Sequence, residues 1–373
     1  MNFIKYLILI MLLWGIPSFF AYDVSIGSKL SYLNLGLLLF YYLLSEKRQL
    51  AIPFLALGLF YFIISGLMFV EDTEYFNDEL LKYLILIICG TEVARNTTLK
   101  ELFIILLLGA SSILIHALVY QDDYGRYSGL YLDPNGAGFV CILAYCLSFS
   151  IKQKKLRLLG QFLVTFAGLL TFSRTFILLW LIVSIVSVIA NKKNSLNFGL
   201  GIGAIIVVFS LATIVQFNTT RFSALENLFG EKPNSSINVI KEDSRLDTWS
   251  RYSDMITENP IFGNGFKVLS GESEAKQGVH NTYLMILGES GIFPFLIVIT
   301  LYLYMLWKST FEFKSRSHRF MLAISIIIIL MSTHNYFDNH LIIFLSLWLF
   351  VNLSNKELIE ENQININTKT ASL

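Results

Sequence analysis

The sequence predicts an all-α integral membrane protein with about twelve transmembrane helices and one large loop outside the membrane. Hydrophobic residues make up 55% of the 373 residues and charged residues only 15%, whereas a soluble domain carries roughly 25% charged residues. Apolar runs recur along the chain, and a helix that crosses the hydrocarbon core needs about 20 apolar residues. Lys and Arg residues alternate between the loops in a pattern that fits an even number of crossings.

Twelve apolar runs divide the chain. They lie near residues 6–21, 30–44, 50–70, 80–94, 101–119, 136–151, 158–172, 175–190, 198–217, 281–307, 320–333 and 341–353. The first nine spans therefore occupy 1–217, a polar loop occupies 218–279, three further spans occupy 280–353, and a polar tail follows in 354–373. The loop has the Asn, Ser, Glu, Lys and Gly content of a globular segment, and we expect a short helix in it.

The positive charges predict the orientation of these spans. With the N-terminus in the cytoplasm, 17 of the 28 Lys and Arg residues fall in segments on the inner side. The short outer loops hold only Lys29, Arg126 and Arg174. Because cytoplasmic loops accumulate positive charge, we expect both termini in the cytoplasm and the 218–279 loop outside.

Several functions are excluded by composition. A net charge of +1 argues against nucleic-acid binding by bulk electrostatics. Cys89, Cys141 and Cys146 lie in apolar runs without CxxC spacing, so neither a disulfide framework nor a zinc site is expected. The adjacent carboxylates Asp122 and Asp123 lack further spaced ligands, and they are interpreted as part of a solvated loop. We therefore expect no metal and no cofactor.

Arg174 is unusual because it lies on the outer side, where two spans join with almost no loop between them. Its guanidinium could grip phosphate oxygens at the depth of the lipid headgroups. The alternative is an arginine that extends toward lipid headgroups without a specific ligand. Its position against the charge rule favours an anion site.

The large loop contains a predicted helix over 241–258, which Asn259 and Pro260 end. Residues three or four apart form its predicted buried stripe: Leu246, Trp249, Ser253 and Ile256. Arg245 lies four residues before Trp249 and shares that face. A charge beside a buried tryptophan needs a partner, which is either a ligand or a loop carboxylate such as Glu226 or Glu242.

His280 lies where the large loop re-enters the membrane, and Asn281 follows it. Histidine ordinarily titrates near about pH 6.5, so it can accept a proton at neutral pH. The alternative is a polar helix cap, to which Asn281 would contribute. Two competing histidines, His334 and His340, lie in another outer loop.

Two further positions are candidates for supporting roles. Glu289 is nine residues after His280, so it lies about 13 Å deeper on a different helix face and serves either function or packing. Asn135 belongs to the run 133–136, Asp-Pro-Asn-Gly, which predicts a turn that leads into a helix N-terminus and offers an anion-binding end.

Four segments together resemble the O-antigen ligase and O-antigen polymerase superfamily of bacterial membrane glycosyltransferases. They are Gly129 to Gly136, Ser173-Arg174-Thr175, Arg245 through Trp249 to Gly265, and His280-Asn281 followed after nine residues by Gly291. The last segment is the most specific. The resemblance covers roughly residues 125–300, and it implies a GT-C-like helical fold.

The resemblance implies transfer of a glycan from undecaprenyl pyrophosphate to an acceptor sugar, on the periplasmic side of the bacterial inner membrane and without a metal. Arg174 and Arg245, with Arg126 by its position, would hold the pyrophosphate, and His280 would be the catalytic base. The remaining candidates would support them: Asn281, Glu289, Asn135 and Trp249. The expected partners are the lipid-linked donor, membrane lipids, and an acceptor that is lipid A core or a lipid-linked oligosaccharide.

Three activities remain open at this point. A ligase passes the glycan to lipid A core, whereas a polymerase passes it to another lipid-linked repeat, and the close match around His280 favours the ligase. A lipid-linked oligosaccharide flippase or secondary transporter with twelve spans is a different class. Transporters ordinarily place ionisable residues near the membrane midplane, but most candidates here lie at the outer face.

Overall fold

The computed structural model describes residues 1–46, 49–120, 126–195, 199, 202–203, 245–271 and 277–354. Within these ranges the fold is all-α and contains no strand. Fifteen α-helices are described. In chain order, α1 to α15 are Asn2–Leu13, Ile16–Phe19, Val24–Leu44, Ile52–Met68, Thr73–Arg95, Leu99–Val119, Pro134–Ser148, Lys154–Leu170, Arg174–Ala190, Arg245–Ser250, Ser253–Glu258, Thr282–Ser290, Ile292–Phe311, Ser317–Leu330 and His340–Ser354.

Local sequence determines where these helices begin. Thr98 and Glu101 form a reciprocal capping box at the start of α6, so two backbone N–H groups are satisfied by side chains. The carboxylates of Asp23 and Asp72 accept backbone hydrogen bonds at the starts of α3 and α5. Ser173 does the same at the start of α9.

Most of the predicted spans correspond to helices, although the count of twelve spans is not established. Two helices, α6 and α13, are long and apolar enough to cross a membrane by length and composition, and six shorter apolar helices accompany them. The helices α3 and α5 begin before the predicted residues 30 and 80. Most of the predicted span at 198–217 lies outside the described residues.

Two predicted spans are interrupted, each at a glycine. Gly15, with φ 62°, separates α1 from α2 within the first predicted span. Gly291, with φ 77°, separates α12 from α13 within the predicted span 281–307. Glycine adopts positive φ without the steric penalty that other residues incur, so these two positions break helices that hydrophobicity alone would join.

The predicted loop helix over 241–258 is also wrong as a single helix. It is two short helices, α10 and α11, with a turn at residues 251–252 between them. Ile256 is buried as expected, but Ser253 is exposed. The turn shifts the helical phase, and Tyr252 takes the buried position instead, where its hydroxyl donates to the Gln277 carbonyl at 2.8 Å.

The core is centred on α7, whose residues from Ala137 to Ser148 are all buried. It packs against α6, α8, α9 and α14. At one end of the bundle, Lys5 forms an ion pair with Glu101 at 2.8 Å, and the Trp348 indole donates to the Thr97 carbonyl. The first helix, the α5–α6 connection and the end of α15 therefore meet at this end.

Candidate functional site

Loops at the opposite end of the bundle bring together several of the predicted site residues. Arg126, in the connection between α6 and α7, donates from Nε to the Thr171 carbonyl at 3.1 Å. Its Nη2 donates to Asn135 Oδ1, also at 3.1 Å. Arg126 therefore connects the start of α7 to the turn between α8 and α9. That turn carries Arg174.

The start of α7 has the predicted turn, but it is not an open anion site. Asp133 is the N-cap, and its carboxylate accepts hydrogen bonds from the backbone of Asn135 and Gly136. The first N–H groups of the helix therefore already face a negative charge within the chain. Asn135 contributes through its side chain, as the acceptor for Arg126.

Arg174 is the first residue of α9 and is exposed. The turn before it is tight, because α8 ends at Leu170 and Phe172 adopts φ 50°. Thr171 and Ser173 are fully buried beside it. This arrangement fixes the backbone that presents Arg174 while its side chain faces outward, as the short connection between the two spans predicts.

Arg245 begins α10, but its side chain lies outside the described residues, so its predicted role in pyrophosphate binding stays a prediction. Trp249 is half-buried and packs against the hydrophobic core. Its indole Nε1 is buried and has no hydrogen-bond partner within the described part of the chain. Trp249 is thus only half-buried, in a helix shorter than expected, and its indole nitrogen is the buried part.

His280 lies two residues before the start of α12 and adopts φ 46°. Asn281 is the cap of that helix: its Oδ1 accepts from the backbone N–H groups of Tyr283 and Leu284. The capping role considered for this pair therefore belongs to Asn281. The His280 ring instead contacts His334, with 3.1 Å between the two Nδ1 atoms.

His334 is neutral in this environment. Burial, and then the nearby His280, lower its pKa to about 4. The Ser270 carbonyl accepts a hydrogen bond from the same ring. Gly278 lies against this contact, since a Cβ there would come within 2.4 Å of both His334 Nε2 and the Ser270 oxygen.

Glu289 serves packing and pairing. It is 1% exposed, and its carboxylate accepts from the Tyr61 hydroxyl at 2.5 Å and from the Leu269 N–H at 3.1 Å. Tyr61 in turn stacks on Phe337, with 3.7 Å between the ring centroids. Glu289 therefore joins α4 and α12 to the loop ahead of His280.

Glycines in the loop and after α12 permit a close backbone contact. A Cβ at Gly291 would lie 2.0 Å from the Ile261 carbonyl oxygen, and one at Gly263 would lie 2.4 Å from the backbone of Glu289. Asn264 donates from its backbone and its side chain to the Gly288 carbonyl. The segment around 261–265 therefore supplies hydrogen-bond donors to a carbonyl group near the end of α12. This is the helix that follows His280.

Strained backbone is concentrated in these loops. The non-glycine residues with positive φ in the described ranges are Leu132, Phe172, Lys267 and His280. Each lies in a connection on the same side of the bundle as the Arg126 and His334 contacts. Such conformations cost of order 1–3 kcal/mol each and persist where the surrounding structure imposes them. This end is therefore built around specific loop geometry.

A cavity of about 470 Å³ lies beside the start of α7 and the connection into α15. On one side it is lined by Asp133 and Gly136, which flank Asn135. On the other it is lined by Thr333 and Asn335, which flank His334. Arg126, Asn135, His280 and His334 themselves are not among the residues that line the cavity. Among the described residues, no cluster of three or more His, Cys, Asp or Glu side chains could hold a metal ion.

A comparison with known families gives a match over part of the chain. Residues 158–299 match the family model described as O-antigen ligase. The predicted resemblance to the O-antigen ligase and polymerase superfamily is thereby confirmed, and the matched domain indicates a glycosyltransferase-like activity of that general type. No curated protein matches the chain in a sequence comparison. Arg174, Arg245 and His280 all fall within the O-antigen ligase domain, whereas Arg126 and Asn135 precede it.

Sequence reasoning underrated two residues of this site. In the sequence, His334 is only one of two competing histidines, and the run of polar residues between two apolar segments is the signal that marks its position. Tyr61 lies within an apolar span and gave no local signal, because its contact with Glu289 joins residues 228 positions apart.

Proposed function

We propose that this protein transfers a glycan from undecaprenyl pyrophosphate to an acceptor sugar at the periplasmic face of the bacterial inner membrane, as an O-antigen ligase with lipid A core as acceptor. The observation that carries the proposal is the O-antigen ligase domain at residues 158–299, which contains His280, Arg174 and Arg245. The cluster of loops around His280 and Arg126 at one end of the bundle supports it.

The contact between the two histidines supports a role for His280 in the reaction. The Nδ1 atoms of His280 and His334 lie 3.1 Å apart, and the His334 ring also hydrogen-bonds the Ser270 carbonyl. His334 is therefore placed to hold the His280 ring in position.

In the proposed reaction, the imidazole of His280 removes the proton from an acceptor hydroxyl. The hydroxyl oxygen forms a bond to the anomeric carbon of the donor glycan, and the bond from that carbon to the pyrophosphate oxygen breaks. Undecaprenyl pyrophosphate leaves with the electron pair. Arg174 and Arg245, assisted by Arg126, stabilise the negative charge that develops on it, because preorganised cations act strongly where charge appears.

Deletion of the gene tests the proposal and separates ligase from polymerase. Lipopolysaccharide is examined on a gel and lipid-linked intermediates are extracted in parallel. Core without attached repeats, together with long chains on the undecaprenyl carrier, is the result expected of a ligase. Core that bears a single repeat would assign a polymerase. An unchanged gel and no accumulated intermediate would reject both the ligase and the polymerase. The flippase or transporter would then be the remaining alternative.

A further inference from the structure

We propose that His116, in the last turn of α6, is a positioning residue for the proposed pyrophosphate site. Together with Ser112 it holds the loop of residues 126–130 against α6 and thereby places Arg126 for the pyrophosphate. The inference rests on the proposed transfer reaction and deepens it, because these side chains act on the pyrophosphate site through the backbone that carries Arg126.

Nδ1 of His116 is the acceptor for two successive backbone N–H groups. Ser128 donates to it at 3.2 Å and Gly129 at 3.1 Å. Because both partners are donors, Nδ1 presents its lone pair to the loop, and the one N–H of the neutral ring is on Nε2. Backbone N–H groups that are removed from water need such an acceptor. His116 therefore fixes the loop backbone at two neighbouring residues.

The same face of α6 makes two more contacts with this loop. Ser112 lies one turn before His116, and its hydroxyl accepts from the N–H of Leu130 at 3.1 Å. Gly109 lies three residues earlier again and leaves room for Tyr131, since a Cβ there would come within 2.2 Å of the tyrosine hydroxyl. Residues three or four apart share one face of a helix. The loop therefore lies along a single stripe of α6.

The loop also contacts the turn between α8 and α9. Tyr127 is buried, and its N–H donates to the Leu170 carbonyl at 3.2 Å. Arg126 donates from Nε to the next carbonyl, that of Thr171, at 3.1 Å. This turn carries Arg174 at the start of α9. The amides that α6 holds begin two residues after Arg126, so their release would displace its guanidinium from the turn.

A role in packing alone is the alternative for His116. Its ring makes edge contacts with Tyr120 and Tyr127, with 5.6 and 5.5 Å between the ring centroids. Two substitutions separate packing from hydrogen bonding. The side-chain oxygen of asparagine is one bond from Cγ, as Nδ1 is, whereas that of glutamine is two bonds away, as Nε2 is. Asparagine thus keeps the acceptor with less volume, and glutamine keeps more volume without the acceptor.

The first test measures hydrogen exchange of the loop, with the full-length protein in lipid nanodiscs. Mass spectrometry follows the peptide that contains residues 127–131. Its exchange should become at least about tenfold faster in His116→Gln, because the amides of Ser128 and Gly129 lose their acceptor. In His116→Asn it should stay within about threefold of the wild type. Equal acceleration in both variants, or none in His116→Gln, would overturn the proposal.

Ser112→Ala is a milder variant that leaves the His116 ring in place. Ser111 and Ser112 are both half-buried, and their hydroxyls donate to carbonyls about one turn earlier, those of Leu107 and Gly109. Ser112 also accepts from the loop, so Ser111→Ala is the matched control. We expect faster exchange of the loop peptide in Ser112→Ala and wild-type exchange in Ser111→Ala. The same acceleration in both would contradict the role of this face of α6.

The second test asks whether the effect on transfer passes through Arg126. The donor KM, the acceptor KM and kcat are measured in reconstituted transfer with lipid-linked donor. His116→Gln should raise the donor KM about tenfold with the acceptor KM unchanged, and His116→Asn should recover most of that change. In an Arg126→Gln background, His116→Gln should have little further effect, because residues that act through one contact are not additive. An unchanged donor KM in His116→Gln, or full additivity with Arg126→Gln, would overturn the positioning role.

The two tests also separate this inference from the proposed function. A wild type that transfers no glycan would reject the proposed function and, with it, the role of His116 in transfer. Faster exchange in His116→Gln would then still establish the loop contact. Normal transfer by the wild type, with donor kinetics that His116→Gln does not alter, would reject the positioning role alone.

Discussion

The protein holds two histidine sites at opposite ends of α14, and their environments differ. His318 lies in the first turn of this helix, is 5% exposed, and contacts the Ser150 hydroxyl through Nδ1 at 2.5 Å. His334 lies beyond the other end and contacts His280. Burial lowers the pKa of both rings, to about 3 for His318 and about 4 for His334. Both are therefore neutral at pH 7.

The groups around the two histidines show how the two ends of the bundle differ. At the His318 end, Arg319 pairs with Glu312 at 2.5 Å, and the described loops there contain no non-glycine residue with positive φ. At the His280 end, four such residues lie in the loops. Buried polar atoms without a partner among the described residues occur at both ends, as Arg319 Nε and His340 Nε2 show. A lowered histidine pKa thus marks burial at either end, and the strained loop backbone distinguishes the two ends.

The largest expected effect is the loss of transfer in His280→Ala. General base catalysis contributes about 10²- to 10⁴-fold, so we expect a loss of at least about 100-fold in glycan transfer at normal protein levels. His318→Ala is the control, with transfer within about twofold of the wild type, since that ring only packs and donates or accepts one hydrogen bond. Equal losses in both variants would contradict the distinction between the two ends.

The next effect concerns the arginines within the O-antigen ligase domain. Arg174→Gln and Arg245→Gln each remove a charge from the proposed pyrophosphate site, and charge-assisted hydrogen bonds contribute about 1.5–3 kcal/mol, or about 10- to 150-fold in rate. Arg251→Gln is the control, because Arg251 is exposed and lies in the turn between α10 and α11. Transfer assays with lipid-linked donor check this. Substantial residual transfer in Arg245→Gln and Arg174→Gln would argue against pyrophosphate binding there.

A smaller effect is expected at His334, a positioning residue. His334→Ala removes the ring that contacts His280 and should lower kcat about 10- to 30-fold with little change in KM, because a misplaced catalytic group costs on the order of 10²-fold at most. In His334→Gln, the side-chain amide can hydrogen-bond both His280 and the Ser270 carbonyl. This variant should therefore recover at least about half of the decrease in log kcat that His334→Ala causes. A purely structural role would give equal losses in Ala and Gln variants and lower protein stability in both.

The smallest effect concerns how the folding stability of the protein changes with pH. The pKa of His334 is lowered in the folded state to about 4 from an ordinary value of 6.5, so the unfolded chain binds the proton first as pH falls. The stability that depends on a neutral His334 is therefore fully present above about pH 6.5. It is lost as the pH falls towards about 4. Groups that face this ring are His280, Lys267 and Asp338.

At about pH 5 this loss amounts to about 1–2 kcal/mol. Thermal unfolding of the wild type in nanodiscs should therefore show a larger decrease in Tm between about pH 7.5 and about pH 5 than His334→Gln does. Identical decreases for the two proteins would mean that His334 is not held neutral by its surroundings.

Local sequence determined the helical character, most helix positions and the identity of the capping residues. The turn before Arg174 and the helix that Asp133 and Pro134 begin follow from short-range chemistry, because apolar periodicity and caps act within a few residues. The resemblance in the His280 region, confirmed by the match at 158–299, likewise depends on the order of residues along the chain.

The tertiary structure alone decided which of these residues meet. The pairing of Glu289 with Tyr61 and the contact between His280 and His334 join segments that are distant in sequence. The helix break at Gly291 is a further feature that only the structure shows. A long-range contact depends on how whole helices pack, and packing leaves no local pattern in the chain. The cavity between α3, α5, α7 and α15 exists for the same reason: each wall residue is ordinary by itself, and only their convergence forms a polar space.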